Sequence, residues 1–552
     1  MLRRERGADE RGVGEKRMEG DLEYDFIIVG AGSAGSVLAN RLSADPRTRV
    51  LLLEAGGPDR DPWIHIPAGF FRNIYNPHLN WGFETEPIPG FAGRSIPWPR
   101  GRVLGGSSAI NGLVYIRGQK EDFDLWRQMG NPGWSYDDVL PYFRKAENQE
   151  RGANEYHGSG GPLDVTDLRM DHPLHRAFIA AAEEAGYSFN PDFNGANQEG
   201  VGIYQMTIRG RRRCSAALAY LRPAMRRPNL TIEMQALAER VLIEAGRAVG
   251  VAWRQGRSPK RAAARTEVLL AGGAVNSPQL LQLSGIGPAP LLAEHGIAVH
   301  ADVPGVGENL QDHLNARVVA RIARGPTLNE ISRSLPRQLL AGLTWIFMRR
   351  GVLMMGAGPL GLFVRTREGL ASPDVQYHFL AGSLDRPGAP MHDFPGASIA
   401  CVPCRPESRG FIRIRSADPT CPPLIQPNYL ATESDRRTLI EGLRIARRLF
   451  QTGAMRPYVA GEAMPGPAVE SDADWLAYIR ERGGTGFHAS GTCRMGSDPT
   501  AVVDSSLRVR GVGALRVVDA SVMPTLVSGN TNAATIMIAE KAAEMVLGAG
   551  TP

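Results

Sequence analysis

Hydrophobic residues near the start of the chain follow a strand, turn and helix order. Residues 26–29, Phe-Ile-Ile-Val, form a continuous apolar run with the length of a buried strand. A glycine-rich turn follows, and Val37, Leu38 and Leu42 then recur at helical spacing. A second apolar run ends at Glu54. The pattern predicts a strand-helix-strand unit.

Similar patterns return much later in the chain. Residues 266–287 again predict a strand, a glycine turn and a helix, and residues 515–524 predict another buried strand. A helix is expected from about Thr531 to Leu547. Between these segments, residues 321–475 carry the mixed patterns of an antiparallel sheet. The predicted fold is α/β (α+β overall), with a Rossmann-like domain of discontinuous segments and an inserted second domain.

The turn after the first strand has the spacing Gly30-x-Gly32-x-x-Gly35, with Ser33 inside it. Gly30 permits the tight turn, Gly32 lets the backbone approach a pyrophosphate, and Gly35 lets the helix pack on the strand. The helix N-terminus favours negative charge. Glu54 lies 19 residues beyond Gly35, where a carboxylate meets the 2′-hydroxyl of an adenosine ribose. The unit is predicted to bind a dinucleotide, NAD or FAD.

Composition and charge narrow the function classes. Of the 552 residues, 43% are hydrophobic and 22% are charged, as expected of a folded globular protein. The net charge of +6 comes from interspersed charges of both signs, which argues against nucleic-acid binding. The densest basic run, residues 209–213, is interpreted as a solvated loop. No apolar run approaches the roughly 18 residues of a spanning helix, so a cytoplasmic location is expected and peripheral membrane association stays open.

Cysteine usage and the first residues add two expectations. Five cysteines are few for this length and indicate a reducing compartment without a disulfide framework. Cys401 and Cys404 form a single C-x-x-C pair, which is interpreted as part of a strand, and no metal site is predicted. Residues 1–20 lack the apolar core of a signal peptide and are expected to form a disordered extension.

A histidine near the C-terminal end has neighbours that a packed strand would not choose. His488 follows Phe487 and precedes a turn of small residues, Ala-Ser-Gly. The imidazole is therefore expected to point into an open space. Because its pKa lies near neutrality, imidazole is suited to act as a base.

Four longer motifs resemble the signatures of one family. They occupy residues 101–118, 273–287, 488–496 and 515–543. In order and spacing they resemble the glucose-methanol-choline (GMC) oxidoreductases, in the branch of choline dehydrogenases and alcohol dehydrogenases. The resemblance implies an FAD domain and a substrate domain whose sheet covers the flavin. The FAD domain would comprise residues 21–165, 215–320 and 476–552, and the substrate domain residues 166–214 and 321–475.

The resemblance also implies a catalytic pair. In this family the histidine of the H-x-x-G-T-C block and the first Asn or His after a Val-Ser-Gly turn flank the reacting carbon, and these positions are His488 and Asn530. His488 would accept the hydroxyl proton while hydride leaves for flavin N5, and Asn530 would hold the substrate oxygen.

Several cofactor contacts are carried over from the family in the same way. Asn111 would lie near the reactive edge of the flavin, Asn532 against its ring, Asp519 at the ribityl or phosphate region, and the backbone of Val241 at adenine. The remaining implied contacts along the flavin and its diphosphate are Gly105, Gly106 and Ser107. FAD is expected to be non-covalent, because Ile110 stands where some relatives attach the flavin through a histidine.

The resemblance also predicts the kind of substrate. Choline-acting relatives carry a glutamate before the small-residue turn of the substrate domain, and Pro359 takes that position here. With Met354, Met355 and Phe487 around it, the pocket is predicted to take a small apolar or aromatic alcohol and to bind choline poorly.

The predicted function is oxidation of a primary alcohol to the aldehyde, with electrons passed to a quinone or another acceptor. One alternative is an oxidase of aryl or furanic alcohols that reduces O₂ to H₂O₂. A further alternative is a flavin-containing hydroxynitrile lyase, in which the base acts and the flavin stays oxidised.

Overall fold

The computed structural model describes residues 22–548, so the extension expected at residues 1–20 lies outside the described part. The strands, in chain order, are β1 Leu22–Val29, β2 Val50–Glu54, β3 Glu147–Gln149, β4 Leu163–Val165, β5 Gly200–Ile203, β6 Ile208–Arg209, β7 Arg212–Arg213, β8 Leu230–Met234, β9 Ala236–Glu244, β10 Arg247–Gln255, β11 Ser258–Leu270, β12 Ile286–Gly287, β13 Ala301–Asp302, β14 Leu314–Ile322, β15 Leu360–Val364, β16 Val375–Leu380, β17 Gly396–Pro403, β18 Phe411–Arg413, β19 Leu424–Gln426, β20 Val459–Met464, β21 Gly484–Thr485 and β22 Leu515–Val517. The helices are α1 Ser33–Leu42, α2 Pro62–His65, α3 Phe70–Asn73, α4 Lys120–Gln128, α5 Tyr136–Ala146, α6 Pro173–Glu184, α7 Arg222–Ala224, α8 Gly273–Leu283, α9 Ala289–Glu294, α10 Leu328–Ser332, α11 Leu335–Leu343, α12 Glu433–Gln451, α13 Asp472–Arg482 and α14 Asn532–Gly548.

The first large sheet joins segments that are far apart in the chain. Its strands lie in the order β8-β2-β1-β11-β10-β9, with β22 beside β11. The pairs among β8, β2, β1, β11 and β22 are parallel, whereas β10 and β9 add an antiparallel extension. Helix α1 packs on β1 and β2, and α14 packs against α1 and α5. All five residues of β2 are buried, which explains its unbroken apolar run.

The second large sheet is antiparallel throughout. Its strands lie in the order β20-β14-β17-β16-β15-β5, and the short β21 pairs with β14. Helix α12 packs across β14 and β17 with one buried side that includes Leu439, Leu443 and Ala446. The two sheets confirm the predicted fold class of a Rossmann-like domain with an inserted antiparallel domain.

Two predicted domain boundaries fall inside secondary structure. The boundary at residue 320 cuts β14, whose partners β17 and β20 belong to the second sheet, so the strand from Leu314 onwards is part of that sheet. The boundary at 475 cuts α13, which packs on α12. Periodicity alone could not place these limits, because a buried strand has the same local pattern in either sheet.

The basic run at residues 209–213 is only partly a solvated loop. It forms a β-hairpin from β6 and β7, in which Arg209, Arg211 and Arg212 are exposed. Arg213 is 1% exposed, which corrects the interpretation for this residue. The physical reason is the alternation of a strand, which turns successive side chains to opposite sides.

No helix within residues 22–548 is both long enough and apolar enough to span a bilayer.

Candidate active site

One continuous cavity lies between the two large sheets. Its wall includes residues at the carboxyl ends of β1 and β2 and residues of β16 and β17. The predicted site residues that line it are Gly30, Gly32, Ser33, Glu54, Gly106, Ser107, Asn111, Phe487, His488, Asp519, Asn530 and Asn532. The structure thus brings together motifs separated by up to about five hundred residues.

The nucleotide end of the cavity is built by the glycine turn. Gly30 has φ +100°, and a Cβ there would lie 2.5 Å from the carbonyl oxygen of Ala271, so only glycine fits. Gly32 caps α1 without a side-chain hydrogen bond, which leaves the first-turn amides available to an anion. Gly35 does not line the cavity; a Cβ there would meet the Gly30 carbonyl oxygen at 1.8 Å, in line with its predicted packing role.

Glu54 closes the same end. Its carboxylate accepts hydrogen bonds from the backbone N–H of Ala31 at 2.9 Å and of Gly56 at 2.7 Å. Burial raises the pKa of the Glu54 carboxyl to about 7, although these two amides act in the opposite direction. The side chain is held at the end of β2, where it can receive a ribose hydroxyl.

Two helix N-termini meet on the cavity wall. The Ser33 hydroxyl in α1 donates to Asn532 Oδ1 at the start of α14 over 2.7 Å. Asp519 lies nearby in the wall and accepts from the backbone N–H of Gly273 at 2.8 Å and from the Ser277 hydroxyl at 2.6 Å. Asp519 therefore orients a third helix start, that of α8.

The loop of residues 105–111 forms another side of the cavity. A Cβ on Gly106 would lie 2.7 Å from the Cα of Gly32, so the two loops are in close approach. Gly105 lies behind this contact and donates its N–H to the Ala31 carbonyl at 2.9 Å. Ile110 and Asn111 reach the cavity itself.

Asn111 is held by a buried arginine. Arg213 Nη1 donates to Asn111 Oδ1 at 2.6 Å, and Nε donates to the Ile64 carbonyl at 2.9 Å. Arg213 has no carboxylate partner among the described residues, and Nη2 has no hydrogen-bond partner there. Burial lowers the pKa of Arg213 to about 9. The hairpin of β6 and β7 thus places a positive group without a carboxylate partner beside the cavity.

Val241 does not lie where the resemblance implies. It is buried in β9 outside the cavity wall, and its backbone N–H donates to the Ser284 hydroxyl at 2.8 Å. The part of β9 that lines the cavity is residues 236–238. A contact of β9 with adenine is therefore expected from these three residues rather than from Val241, whose N–H is already hydrogen bonded.

His488 is positioned by its backbone and by a buried carboxylate. Phe487 has φ +68°, which is unusual for a bulky residue and turns the chain directly before His488. Arg100 Nη1 donates to the Phe487 carbonyl at 2.8 Å. Asp312 Oδ1 accepts the N–H of His488 at 2.6 Å, and Asp312 Oδ2 accepts from the Thr485 hydroxyl at 2.5 Å. These contacts hold the turn in its strained form.

A chain of hydrogen bonds determines the tautomer of His488. His313 Nε2 is 2.9 Å from the Cys404 carbonyl, which can only accept, so Nε2 carries the proton of the neutral ring. His313 Nδ1 is then an acceptor, and His488 Nδ1 at 2.8 Å must donate to it. His488 Nε2 is therefore unprotonated, and its lone pair accepts from Asn530 Nδ2 at 3.0 Å. The lone pair is on the nitrogen beside Asn530.

The surroundings of His488 favour the neutral ring. Burial lowers its pKa well below the usual value, and the neighbouring His313, His378 and Arg100 lower it further. Burial also lowers the pKa of His313 and of His378 to about 4. The group is therefore an unprotonated acceptor at neutral pH.

Asn530 completes the pair and is itself held in place. Its Oδ1 accepts from Gln376 Nε2 at 3.3 Å, and the same nitrogen donates to the Tyr204 hydroxyl at 3.0 Å. This fixes the Asn530 amide with its N–H toward His488. Both side chains line the cavity, at opposite ends of one hydrogen bond.

Three of the four residues predicted for the substrate pocket do not reach the cavity. Met354 and Met355 are buried in a hydrophobic cluster behind the cavity wall, and Pro359 is buried with its carbonyl accepting the N–H of Tyr204 at 2.9 Å. None of the three lines the cavity. Their own loop reaches it instead through Ala357 and Gly358. The loop was identified, but its side chains turn away because the hydrophobic cluster buries them.

Further residues of the substrate-domain side and of neighbouring loops line the cavity. They include Phe70, Phe71, Ile74, Trp81, Leu113, Val114, Arg317, His378, Leu380, Leu384, Pro387, Ala400 and Val402. Most of these side chains are apolar. Among residues 22–548 the cavity wall carries two carboxylates, Glu54 and Asp519, and two arginines, Arg100 and Arg317, whereas Asp312 lies behind the wall against the His488 N–H.

No sequence pattern indicated that His313, His378, Asp312 or Arg213 lies at the site. The ten histidines other than His488 were assigned to the surface or the core, and the local patterns around His313 and His378 resemble ordinary strand edges. His313 lies 175 residues before its hydrogen-bond partner His488. No pattern within one segment could have identified these contacts.

The cavity fits FAD on observations of the chain itself. Uncapped amides at the start of α1 suit a pyrophosphate, and Glu54 suits the ribose. Arg213 provides a buried positive group without a carboxylate counter-charge among residues 22–548. The cofactor would be held by the glycine turn, the loop of residues 105–111, Asp519 and the start of α14.

Comparison with known proteins identifies the family of the chain. The two GMC oxidoreductase family models match residues 24–315 and 406–539. The chain belongs to the GMC oxidoreductase family, and it is an FAD-dependent oxidoreductase acting on CH–OH groups.

Individual relatives cover almost the whole chain. Mitochondrial choline dehydrogenase of Mus musculus is 46% identical over 538 residues, which are 96% of this chain and 90% of that protein. Alcohol dehydrogenase (acceptor) of Pseudomonas putida is 46% identical over 527 residues, 95% of this chain and 96% of that protein. The crystal structure of pyridoxine 4-oxidase from "Mesorbium loti" superimposes with a TM-score of 0.85 at 33% identity and covers 95% of this chain and 99% of that chain.

Proposed function

We propose that this protein oxidises an uncharged primary alcohol to the aldehyde, with His488 as the base, and passes the electrons to a quinone or another acceptor. The observation that carries the proposal is the hydrogen-bond chain that leaves a lone pair on His488 Nε2 at the cavity. Bound FAD supplies the acceptor for the hydride that leaves the carbon.

The residues of the chain divide the remaining work. His488 Nε2 accepts the hydroxyl proton, and Nδ1–H stays hydrogen bonded to His313, which helps to hold the imidazolium that results. Asn530 Nδ2, which already points to this nitrogen, can donate to the substrate oxygen and hold it beside the base. The apolar side chains around the pair limit access of water to the developing alkoxide.

Charge in the cavity supports an uncharged substrate. Among residues 22–548 the carboxylates on the cavity wall are Glu54 and Asp519, which we assign to the cofactor, and the other charged side chains on the wall are Arg100 and Arg317. Asp312 accepts from the His488 N–H but does not line the cavity. A quaternary ammonium group would lose its hydration there without gaining a counter-charge, which costs several kcal/mol. An aryl or alkyl group would instead gain about 25 cal/mol for each Å² of apolar surface buried.

The name of one relative supports an acceptor other than O₂, and an assay of two acceptors tests it directly. The Pseudomonas putida relative is named as acceptor-dependent, whereas Brucella anthropi has an oxygen-dependent choline dehydrogenase that is 43% identical over 529 residues, 96% of both chains. Turnover should be faster with an artificial dye than with O₂. The cytoplasmic location stays a prediction.

A substrate panel tests the proposal. Benzyl alcohol and a medium-chain alkanol should give a higher kcat/KM than choline in a dye-linked assay. The same alcohols should bleach the flavin under anaerobic conditions, which hydroxynitrile lyase chemistry would not do. A kcat/KM for choline equal to or above that of the uncharged alcohols would overturn the substrate assignment.

A further inference from the structure

Within residues 22–548 the large exposed apolar side chains concentrate in the helical segment of residues 335–348. Its large apolar side chains are between 42% and 78% exposed: Leu335, Leu339, Leu340, Leu343, Ile346, Phe347 and Met348. Neither α11 nor the π-helical turn that continues it, residues 344–348, contains a buried residue. An unprotected apolar patch of this kind marks a surface that associates with something else.

The apolar side chains form one side of the helix. Counting from Leu335, the first six occupy positions i, i+4, i+5, i+8, i+11 and i+12, which fall within one face at helical spacing. On the opposite side Trp345 is half-buried against the protein, and its Nε1 donates to the Arg211 carbonyl at 2.9 Å. The helix is therefore fixed with its apolar face outward.

Positive charge surrounds this face. Residues 331–367 contain no Asp or Glu, and Arg349 and Arg350 directly follow the apolar segment. The exposed tip of the β6–β7 hairpin also lies here, since Arg211 Nη1 donates to the Ile346 carbonyl at 2.9 Å. Within residues 22–548, Arg211, Arg333, Arg349 and Arg350 form no ion pair with a carboxylate, whereas Arg337 pairs with Glu330 at 3.2 Å.

We infer that the segment of residues 335–348 is a membrane-docking helix, which lies in the headgroup layer of a bilayer containing anionic lipid. Its apolar face would enter the boundary of the acyl chains, and the arginines at its end and on the hairpin tip would contact lipid phosphates. A second copy of the chain is a poorer occupant, because an isologous contact would bring the same unpaired arginines together.

The position of the helix relates it to the cavity. Trp345, Val352 and Phe71 pack against the same buried hydrophobic cluster, and Phe71 also lines the cavity. Docking would therefore place this apolar side of the cavity wall next to the bilayer. The inference does not depend on the identity of the substrate or of the electron acceptor.

Vesicle flotation with the FAD-loaded protein tests the inference. The protein should float with vesicles of phosphatidylcholine containing about 30% phosphatidylglycerol, and flavin absorbance reports the bound fraction. Binding should weaken with salt and should be much weaker to vesicles of phosphatidylcholine alone. Equal binding to neutral and anionic vesicles, or no binding to either, would overturn the inference.

Paired variants assign the binding to this helix. Leu339→Ser with Phe347→Ser should lower the vesicle partition coefficient by at least about tenfold, and Arg350→Glu should lower it on anionic vesicles only. Phe189→Ser is the matched control, because Phe189 is 47% exposed outside this segment and should leave partitioning unchanged. Dye-linked turnover in solution should be the same for all of them.

The variants also separate the membrane from a protein partner. Sedimentation velocity without lipid should give the same oligomeric state for the wild type and for Leu339→Ser with Phe347→Ser. If the variant instead converted an oligomer to a smaller species and vesicle binding were unchanged, the patch would be an interface between copies and the inference would be wrong.

Discussion

At the scale of single residues, the protonation state of His488 determines whether it can act as the base. The proposed base has a pKa lowered by burial first and then by His313, His378 and Arg100, so it is neutral at pH 7. Since only the neutral ring can accept a proton, kcat/KM should be constant through neutrality. It should fall on acidification through a pKa below the value of about 6.5 usual for histidine. An acid limb centred above pH 7 in the kcat/KM profile would contradict this assignment.

Replacement of the proposed base should lower kcat by a predictable factor. His488→Ala should keep FAD and lose at least ~10²-fold in kcat, the usual scale for a positioned general base. Asn530→Ala should do less harm, because orientation is its proposed task. Flavin absorbance shows that the cofactor is retained, and steady-state turnover gives the loss. Near-normal turnover of flavin-loaded His488→Ala would remove His488 from the mechanism.

His313 is proposed as a positioning residue, and two variants distinguish this from a structural role. In His313→Asn the amide oxygen can replace Nδ1 as the acceptor for His488 Nδ1–H, so kcat should stay near the wild-type value. His313→Leu leaves that donor unsatisfied and the tautomer undetermined, so kcat should fall about tenfold with the fold intact. Thermal unfolding of both variants is the control. Equal kcat values would argue against the tautomer role.

At the scale of elements, two glycines in the turn between β1 and α1 have different roles. We expect Gly30 to be required for folding, whereas we expect Gly32 to be required for cofactor binding. A Cβ on Gly30 would meet Ala271 backbone at 2.5 Å, whereas a Cβ on Gly32 would have Gly106 Cα at 4.0 Å as its nearest neighbour. Gly30→Ala should therefore destabilise the protein or prevent folding. Gly32→Ala should fold, since its φ is −74°, but its methyl group would occupy the space that the pyrophosphate needs.

The measurements for this pair are circular dichroism and FAD binding. Gly32→Ala should match the wild-type apoprotein in unfolding temperature and bind FAD at least about tenfold more weakly. If Gly32→Ala bound FAD normally, the first turn of α1 would not be the pyrophosphate site.

At the scale of the whole molecule, the cavity connects the two sheets. Its wall takes residues from both, so FAD should stabilise the entire chain. The apoprotein should gain about 2.7 kcal/mol of unfolding free energy at an FAD concentration one hundred times the Kd. Thermal scans at increasing FAD concentration measure this gain, and an unfolding midpoint independent of FAD would contradict it.

The attachment of FAD is tested on the same holoprotein. Ile110, which lines the cavity at the position of the flavin-linking histidine of some relatives, has no nucleophile. Acid precipitation should therefore release all of the yellow colour into the supernatant. Colour that stays in the pellet would show a covalent link.

The sequence by itself determined the features that depend on residues close together in the chain. The strand-helix-strand unit at residues 26–54 was predicted because buried strands, a glycine turn and helical spacing all act over a few residues. The fold class and FAD were predicted from the motifs and are confirmed. The turn around His488 was also recognised, since small residues beside an imidazole are a local signal.

Only the tertiary structure decided which distant side chains meet. It placed residues 236–238 of β9, and not Val241, on the cavity wall, turned Met354 and Pro359 away from the cavity, and brought His313 to His488. A strand pattern shows that one side is buried but not what covers it, because the covering residues lie more than a hundred positions away. For the same reason, only the packed molecule shows that the apolar side of residues 335–348 remains uncovered.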